Sequence, residues 1–243
     1  MTSAPLVQAH QLTLHAAGRC LVRSLSWQAQ RSERWCVLGR NAAGKSTLLR
    51  ALAGLPVPQR AGSVDWLGRE QHRWPAADAA TLRAFMPQQV QDRFSIPVLR
   101  LLELSVCAHS TQPLHAALSV LDAAHLAERD VMRLSGGERQ RVALAQCAVQ
   151  GAPVMLLDEP VAFQDPAHQM QVALWLTQWR ERCLIASAHD VNWVSRVATH
   201  VLALYGDGRW EAGAATQMLT AQRLEDIYGC RWRQAGGAWL MSA

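Results

Sequence analysis

Nine residues, Gly39 to Thr47 with the sequence GRNAAGKST, constrain this chain more than any other stretch. They fit G-x-x-x-x-G-K-[ST], a loop whose backbone cradles phosphate. The apolar run Trp35-Cys-Val-Leu38 before it reads as a buried strand. Leu48, Leu49, Leu52 and Leu55 after it recur with helical spacing, so the context is strand, loop, helix. Gly39 and Gly44 let the backbone curl, with Arg40, Asn41, Ala42 and Ala43 between them, so that successive N–H groups point inward at anionic oxygens. The helix opening near Lys45 adds the positive end of its dipole. Lys45 supplies a compact charge for β- and γ-phosphates, and Ser46, followed by Thr47, a hydroxyl for magnesium. Of 24 basic residues Lys45 is the only lysine, so the bias toward arginine stops where a planar fork cannot replace an ammonium. The stretch implies a site for a nucleoside triphosphate and its Mg2+.

Around this loop the chain reads as an α/β protein. At 243 residues, half of them apolar and 18% charged, it has ample length to bury a core. Its apolar runs, such as Val154–Leu157, are far too short to cross a bilayer. The start, MTSAPLVQAHQ, lacks the basic and apolar regions of a secretion signal, so cytoplasmic residence is expected. A net charge of +5 without a dense basic run argues against nucleic acid as a partner. Six widely spaced cysteines with no C-x-x-C indicate neither disulfides nor a thiolate metal site.

Loose alternation from Leu6 to Trp27 about a Gly18-Arg19 turn predicts an antiparallel hairpin ahead of the loop. Pro56–Gly62 reads as a loop, Ser63–Leu67 as a strand, Ala77–Arg83 as a helix and Ala84–Pro87 as a strand. The period turns helical between Val98 and Ala127, and again from about Glu138 to Gln150. Strands Val154–Leu157, Leu184–Ser187 and Val201–Leu204 then alternate with helices Ala167–Arg182 and Val191–Ala198, which argues for a mainly parallel sheet covered on both faces. From Gly206 on, the tail reads as a small appended αβ piece.

Four further stretches follow the loop in order. Phe85-Met-Pro-Gln-Gln89 ends a strand with a neutral amide, and Leu134-Ser-Gly-Gly-Glu-Arg-Gln-Arg-Val142 opens a helix with a glycine pair. Val154-Met-Leu-Leu-Asp-Glu-Pro160 is a buried strand ending in two carboxylates, and Ser187-Ala-His-Asp190 ends a strand with a histidine. In an open parallel sheet, ligands lie beyond the carboxyl ends of the strands, where these side chains arrive. Asp158 suits Mg2+, a hard cation that takes oxygen ligands and keeps several waters. Glu159 can polarise an attacking water. Gln88 can ligate the metal or position that water, and His189 can donate to a γ-phosphate as charge develops. Ser135, Gly136 and Gly137 repeat the anion-binding logic of bare N–H groups at a helix N-terminus. Singly, each has a bland reading as a polar strand end, a solvated loop, a turn or a surface histidine. The nine-residue string LSGGERQRV answers no general structural need.

With these residues in this order the chain resembles the ATP-binding cassette ATPases, the nucleotide-binding subunits of ABC transporters. The matches are the Walker A loop (Gly39–Thr47), Q-loop (Gln88), signature (Leu134–Val142), Walker B strand (Val154–Glu159) and H-loop (His189), and the similarity runs from about Leu6 to Tyr228. The resemblance implies a P-loop NTPase fold in one domain over residues 1–243: a RecA-like core sheet, an antiparallel β subdomain, a helical subdomain at roughly 90–150 and a C-terminal extension from about 206. It implies ATP hydrolysis and a head-to-tail homodimer in which Ser135–Gly137 of one copy close over ATP held by Lys45 of the other. Three features depart from the family pattern. Asn-Ala-Ala-Gly replaces Asn-Gly-x-Gly, placing Ala42 where glycine is usual. The D-loop reads Ala162-Phe-Gln-Asp165, so only Asp165 carries over. The aromatic that stacks on adenine is missing near His15–Ala17, where His15 alone has a π-face. A loosely held base is therefore expected, with GTP binding within about tenfold of ATP, unless Trp27 fills the gap.

The Met-Pro-Gln-Gln stretch, Phe94-Ser-Ile-Pro-Val98, His-Asp-Val-Asn192 and the tail from Met218 through Leu224–Trp232 resemble the subfamily that imports metal chelates (siderophores, haem and vitamin B12). Pro97-Val98 and the short ending Gly236–Ser242 are most similar to the vitamin B12 importers. This resemblance implies a polytopic membrane permease as partner, indirect work with a periplasmic binding protein, and a peripheral place on the cytoplasmic face of the inner membrane. Two other classes stay open: a soluble cassette acting on DNA or ribosomes, and a regulatory cassette with little turnover.

Overall fold

The computed structural model describes residues 4–90, 92–107 and 113–242. Strand β1 (Val7–Ala16) folds back on β2 (Arg19–Ala29) through the two-residue turn Ala17-Gly18, whose positive φ values of 50° and 72° suit a tight hairpin. Strand β4 (Gln59–Trp66) pairs with the other edge of β1, and short β5 (Arg69–Glu70) completes a four-stranded antiparallel sheet. The expected loop Pro56–Gly62 is thus half strand, because β1 offers an edge as far as the His15–Gln59 pair. Gly62 lies opposite the register shift in that pairing, at φ 79°, where a Cβ would fall 2.5 Å from the carbonyl oxygens of His10 and Gln11.

A second sheet holds six strands: β3 (Arg34–Gly39), β6 (Arg83–Met86), β7 (Val154–Asp158), β8 (Cys183–Ser187), β9 (His200–Leu204) and β10 (Trp210–Ala214). Their order is β10-β9-β3-β8-β7-β6, parallel throughout except at the β10 edge. The tail therefore does not detach at Gly206: its first strand extends the central sheet. Helix α9 (Ala221–Tyr228) and the hairpin β11 (Arg231–Ala235)–β12 (Ala238–Ser242) follow. Asn192 clamps that hairpin by donating to the Trp239 carbonyl at 3.0 Å and accepting from its N–H at 2.7 Å.

Alternate side chains of the central strands feed two cores. Cys36, Leu38, Met155, Leu157, Leu184 and Ala186 face one, and Trp35, Val37, Val154, Leu156, Cys183 and Ile185 face the other. Leu48, Leu49 and Leu52 of α1 (Lys45–Leu52) bury in the second core together with the antiparallel sheet. The first core is built on α5 (Gly136–Gln150), α6 (Pro166–Thr177) and α7 (Val191–Val197). It also takes in α3 (Val98–Ser105) and α4 (Leu114–Val120), which with two short 3-10 turns form the helical region between β6 and α5. The remaining helices are α2 (Ala76–Leu82) and the short α8 (Ala215–Met218). Helix α6 stops at Thr177, five residues short of the expected Arg182. Trp179 turns edge-on to Trp175 at 4.9 Å, and the Arg182 guanidinium lies 3.7 Å over Trp179, so packing ends the helix before its apolar period does. Among the described residues no helix is long and apolar enough to cross a membrane.

The parallel pairing sets the ends of β3, β6, β7 and β8 along one edge of the sheet. Gly39, Met86, Asp158 and Ser187 are their last residues, so the loop and the strand-end motifs converge.

Candidate functional site

At this edge a cavity of about 710 Å³ is lined by Asn41, Ala42, Gly44, Lys45, Ser46 and Thr47 of the loop, by Gln88, Glu159 and His189, and by the tip of the first hairpin. The loop is shaped by contact as much as by glycine's freedom. A Cβ on Gly39 would meet the Leu204 carbonyl at 2.7 Å, and one on Gly44, at φ 105°, would meet Leu21 Cβ at 2.9 Å. Ala43 closes the turn with its N–H on the Arg40 carbonyl at 3.1 Å. Ala42, where the family prefers glycine, adopts φ 60°, a conformation that costs a non-glycine residue about 1 kcal/mol.

Lys45 is buried, 5% exposed, and its Nζ donates to the carbonyls of Gly39 at 2.9 Å and Arg40 at 3.2 Å. Burial lowers its pKa, while the charges of Glu159 and Asp158 push the other way. A buried ammonium beside carboxylates is poised for an anionic ligand that satisfies it further. The first N–H groups of α1 face the same space, since its cap, Gly44, offers no side chain to occupy them.

Asp158, 3% exposed, accepts from Ser187 Oγ at 2.5 Å, and the same hydroxyl accepts from the Glu159 N–H at 2.9 Å. Ser187 therefore sets the geometry of both acidic residues. Glu159 stands at φ 52°, turned out of the strand into the cavity. Its Oε2 accepts from Gln88 Nε2 at 3.0 Å, and its Oε1 lies 2.5 Å from His189 Nε2. Three motifs distant in sequence thus meet on one carboxylate.

The signature residues lie elsewhere. Ser135 caps α5 and forms a capping box with Glu138, whose carboxyl is held below the usual carboxylate range by the Ser135 N–H and hydroxyl. Ser135 and Gly136 are exposed, and Ser135–Gly137 do not line the cavity. The D-loop braces them: Gln164 Nε2 donates to the Gly137 carbonyl at 3.0 Å, and a Cβ on Gly137 would sit 3.0 Å from the Phe163 carbonyl. Asp165 also stands off the cavity. It caps α6 through the N–H groups of Ala167 and His168 and pairs with the His168 ring at 2.7 Å, contacts that hold its carboxyl below the usual range. Gln140 links signature to Walker B by donating to the Glu159 carbonyl at 2.7 Å, and Arg139 forks onto Asp92 beyond the Q-loop.

Sequence reasoning missed Ser187, Gln140 and Arg19. Ser187 had a signal, a hydroxyl ending a strand beside the Asp-Glu pair. Gln140 had only its place inside the nine-residue string. His15, expected nearest the base, is absent from the cavity wall, and Trp27 is buried in the core, edge-on to Trp35 at 5.0 Å. Neither fills the place of the missing aromatic.

No group of three or more His, Cys, Asp or Glu suited to a metal exists among the described residues. One carboxylate from Asp158 and one hydroxyl from Ser46 fit Mg2+ bound with a triphosphate, whose other oxygen ligands would come from phosphate and water. Asp158 and Ser46 would hold it, with Gln88 at the rim.

The family model described as ABC transporter matches residues 22–162. The cobalamin import ATP-binding protein of Halobacterium salinarum is 37% identical over 207 residues, 80% of this chain and 52% of that one. The chain thus spans about half the length of that relative. The hemin import ATP-binding protein of Ruegeria sp. is 34% identical over 242 residues, 93% of this chain and 92% of the relative. The achromobactin transport ATP-binding protein of Dickeya dadantii is 31% identical over 240 residues, 93% and 89% of the two chains. A metal-chelate type ABC transporter solved in an inward-facing conformation superposes with a TM-score of 0.77 at 23% identity, covering 98% of this chain and 96% of that one, a likeness of fold.

Proposed function

The chain belongs to the ABC transporter family, and on that premise we propose that it is the ATP-hydrolysing subunit of an importer for metal chelates. The observation that carries this reading is the meeting of Gln88 and His189 on Glu159, in the same cavity as buried Lys45, on which the Glu159 charge acts. Loop N–H groups and Lys45 bind the phosphates. Asp158 and Ser46 would hold Mg2+, which would neutralise charge on the phosphate oxygens. Glu159 accepts a proton from the attacking water as its oxygen bonds to the γ-phosphorus. The bond to the β-phosphate oxygen breaks, and ADP and phosphate leave. His189 donates to the γ-phosphate as its charge grows, and Gln88 holds the water or ligates the metal.

Ser135–Gly137 of a second copy complete the site, so the working unit is a homodimer under a polytopic permease on the cytoplasmic side of the membrane. A periplasmic binding protein delivers the chelate. Cobalamin is the cargo we favour, on the Pro97-Val98 and Gly236–Ser242 stretches, with haem and ferric siderophores as alternatives. Phosphate release by the dimer with its permease tests the activity. Steady release is expected, falling 10²- to 10⁴-fold in Glu159→Gln with ATP binding kept. Undiminished release in that variant contradicts the mechanism. Uptake of labelled cobalamin, haem and a ferric siderophore by the same assembly tests the cargo, and transport of haem or the siderophore without cobalamin overturns the cobalamin assignment.

A further inference from the structure

The cavity runs beyond the phosphate loop. In the sheet order the strands that deliver Glu159, His189 and Gln88 (β7, β8 and β6) lie on one side of β3 and its loop, while β9, whose following Gly206 holds Arg19, lies on the other. There the tip of the β1–β2 hairpin lines the cavity with Ala16, Ala17, Arg19 and Leu21. The loop between them fixes the phosphates. A nucleotide whose γ-phosphate faces Glu159 therefore places its base against the hairpin. Among the described residues the wall there holds no aromatic ring, and the only ring lining the cavity is that of His189, on the other side of the loop. At the hairpin tip Arg19 is the one lining side chain with a delocalised planar group.

Its position is well determined. Arg19 pairs with Ala16 across the Ala17-Gly18 turn, at the first residue of β2. Leu21, at the register shift of the β1–β2 pairing, lines the same cavity and presses on Gly44, which fixes the hairpin to the loop. Arg19 Nη2 donates to the Gly206 carbonyl at 2.9 Å, and a Cβ on Gly206 would lie 3.8 Å from Ala43 Cβ. The guanidinium is thus tethered by one N–H beside the loop. Among the described residues it pairs with no carboxylate and stacks on no aromatic ring of the protein.

We propose that Arg19 is the base-stacking residue, its guanidinium lying flat on the ring system of the bound nucleotide where an aromatic side chain would otherwise serve. The proposal rests on the nucleotide reading above. A guanidinium is planar, delocalised and weakly hydrated, and it stacks on π-faces where a lysine ammonium cannot. Stacking of this kind accepts any base, since every base has a π-face.

The test compares Arg19→Ala, Arg19→Lys and Arg19→Tyr with the unaltered chain, using equilibrium binding of Mg-ATP, Mg-GTP and inorganic tripolyphosphate. Arg19→Ala is expected to weaken ATP and GTP alike by roughly tenfold and to leave tripolyphosphate unchanged. Arg19→Lys should behave like Arg19→Ala, and Arg19→Tyr should regain ATP affinity. An equal loss for tripolyphosphate would make Arg19 a phosphate contact and overturn the proposal. Unchanged ATP affinity in Arg19→Ala and Arg19→Lys overturns it as well. If the unaltered chain itself binds neither ATP nor tripolyphosphate, the nucleotide reading falls instead.

Discussion

Helices α1 and α5 both open at glycines, Gly44 as the cap of one and Gly136-Gly137 as the first residues of the other, yet their N-termini are finished in different ways. At α1 the cap is Gly44, which makes no side-chain bond, and Lys45 lies buried beside it. At α5 Ser135 and Glu138 cap one another reciprocally, no lysine is near, and Ser135 and Gly136 are exposed. Glycine is needed for different reasons too: Gly44 for its φ of 105° and the pressure of Leu21, Gly137 for the Phe163 carbonyl 3.0 Å from where its Cβ would be. An uncapped N-terminus with a buried cation is a binding site already, because its donors have no other partner. A capped one is stable alone and offers its remaining donors outward. In the dimer proposed above, the first holds phosphate within one copy and the second joins a site only when another copy brings phosphate to it.

The largest effect that would sharpen this contrast is at Lys45. Lys45→Ala should abolish measurable Mg-ATP binding by titration, because the sequence has no other lysine. Binding at near-native affinity would erase the distinction between the two ends.

Ser135→Ala comes next. Its hydroxyl, offered to the partner's phosphate, is worth ~10- to 100-fold in turnover of the dimer by the scale of a charge-assisted hydrogen bond. Mg-ATP affinity of the isolated chain should stay within about twofold, as Ser135 does not line that copy's cavity. A parallel loss of single-chain affinity would break the comparison.

Glu138→Ala should act on stability alone. It removes half of the capping box, which costs about 1 kcal/mol and roughly 2–4 °C in thermal midpoint for a chain of this size. The same box gives a smaller, pH-dependent effect. The Glu138 carboxyl is held below its ordinary value. Its charge therefore stabilises the fold fully above the unfolded value of about 4.3, and that contribution is lost as pH falls through the lower folded value. Glu138→Gln keeps a hydrogen bond without the charge. Its thermal midpoint should lie slightly below that of the native chain at neutral pH and converge with it in acid. Parallel curves over the whole range would mean that the charge contributes nothing.

Much of this was legible in the sequence where residue identity itself is the constraint. Gly44, Lys45, Asp158, Glu159 and His189 have few chemical substitutes, and the continuous apolar runs Trp35–Leu38 and Val154–Leu157 announce strands buried on both faces. Boundaries set by neighbours were not legible. Gln59–Gly62 is strand because β1 extends to meet it, and β10 joins the central sheet because β9 presents an edge. Helix α6 ends where Trp179 and Arg182 stack. At the hairpin tip Ala16 and Ala17 line the cavity as expected, but His15 does not, for a related reason. His15 and Arg19 are neighbours on the hairpin, and only the register across the Ala17-Gly18 turn decides which of them faces the loop.

The central claim, that α5 of one copy completes the site begun by α1 of another, is tested most directly by the mass of the hydrolysis-deficient protein in solution. Glu159→Gln with saturating Mg-ATP and its permease should sediment with two cassettes bound together, and the added Ser135→Ala change should weaken that closure. Cassettes that remain single at high protein and ATP concentration, while ATP is demonstrably bound, would contradict the account.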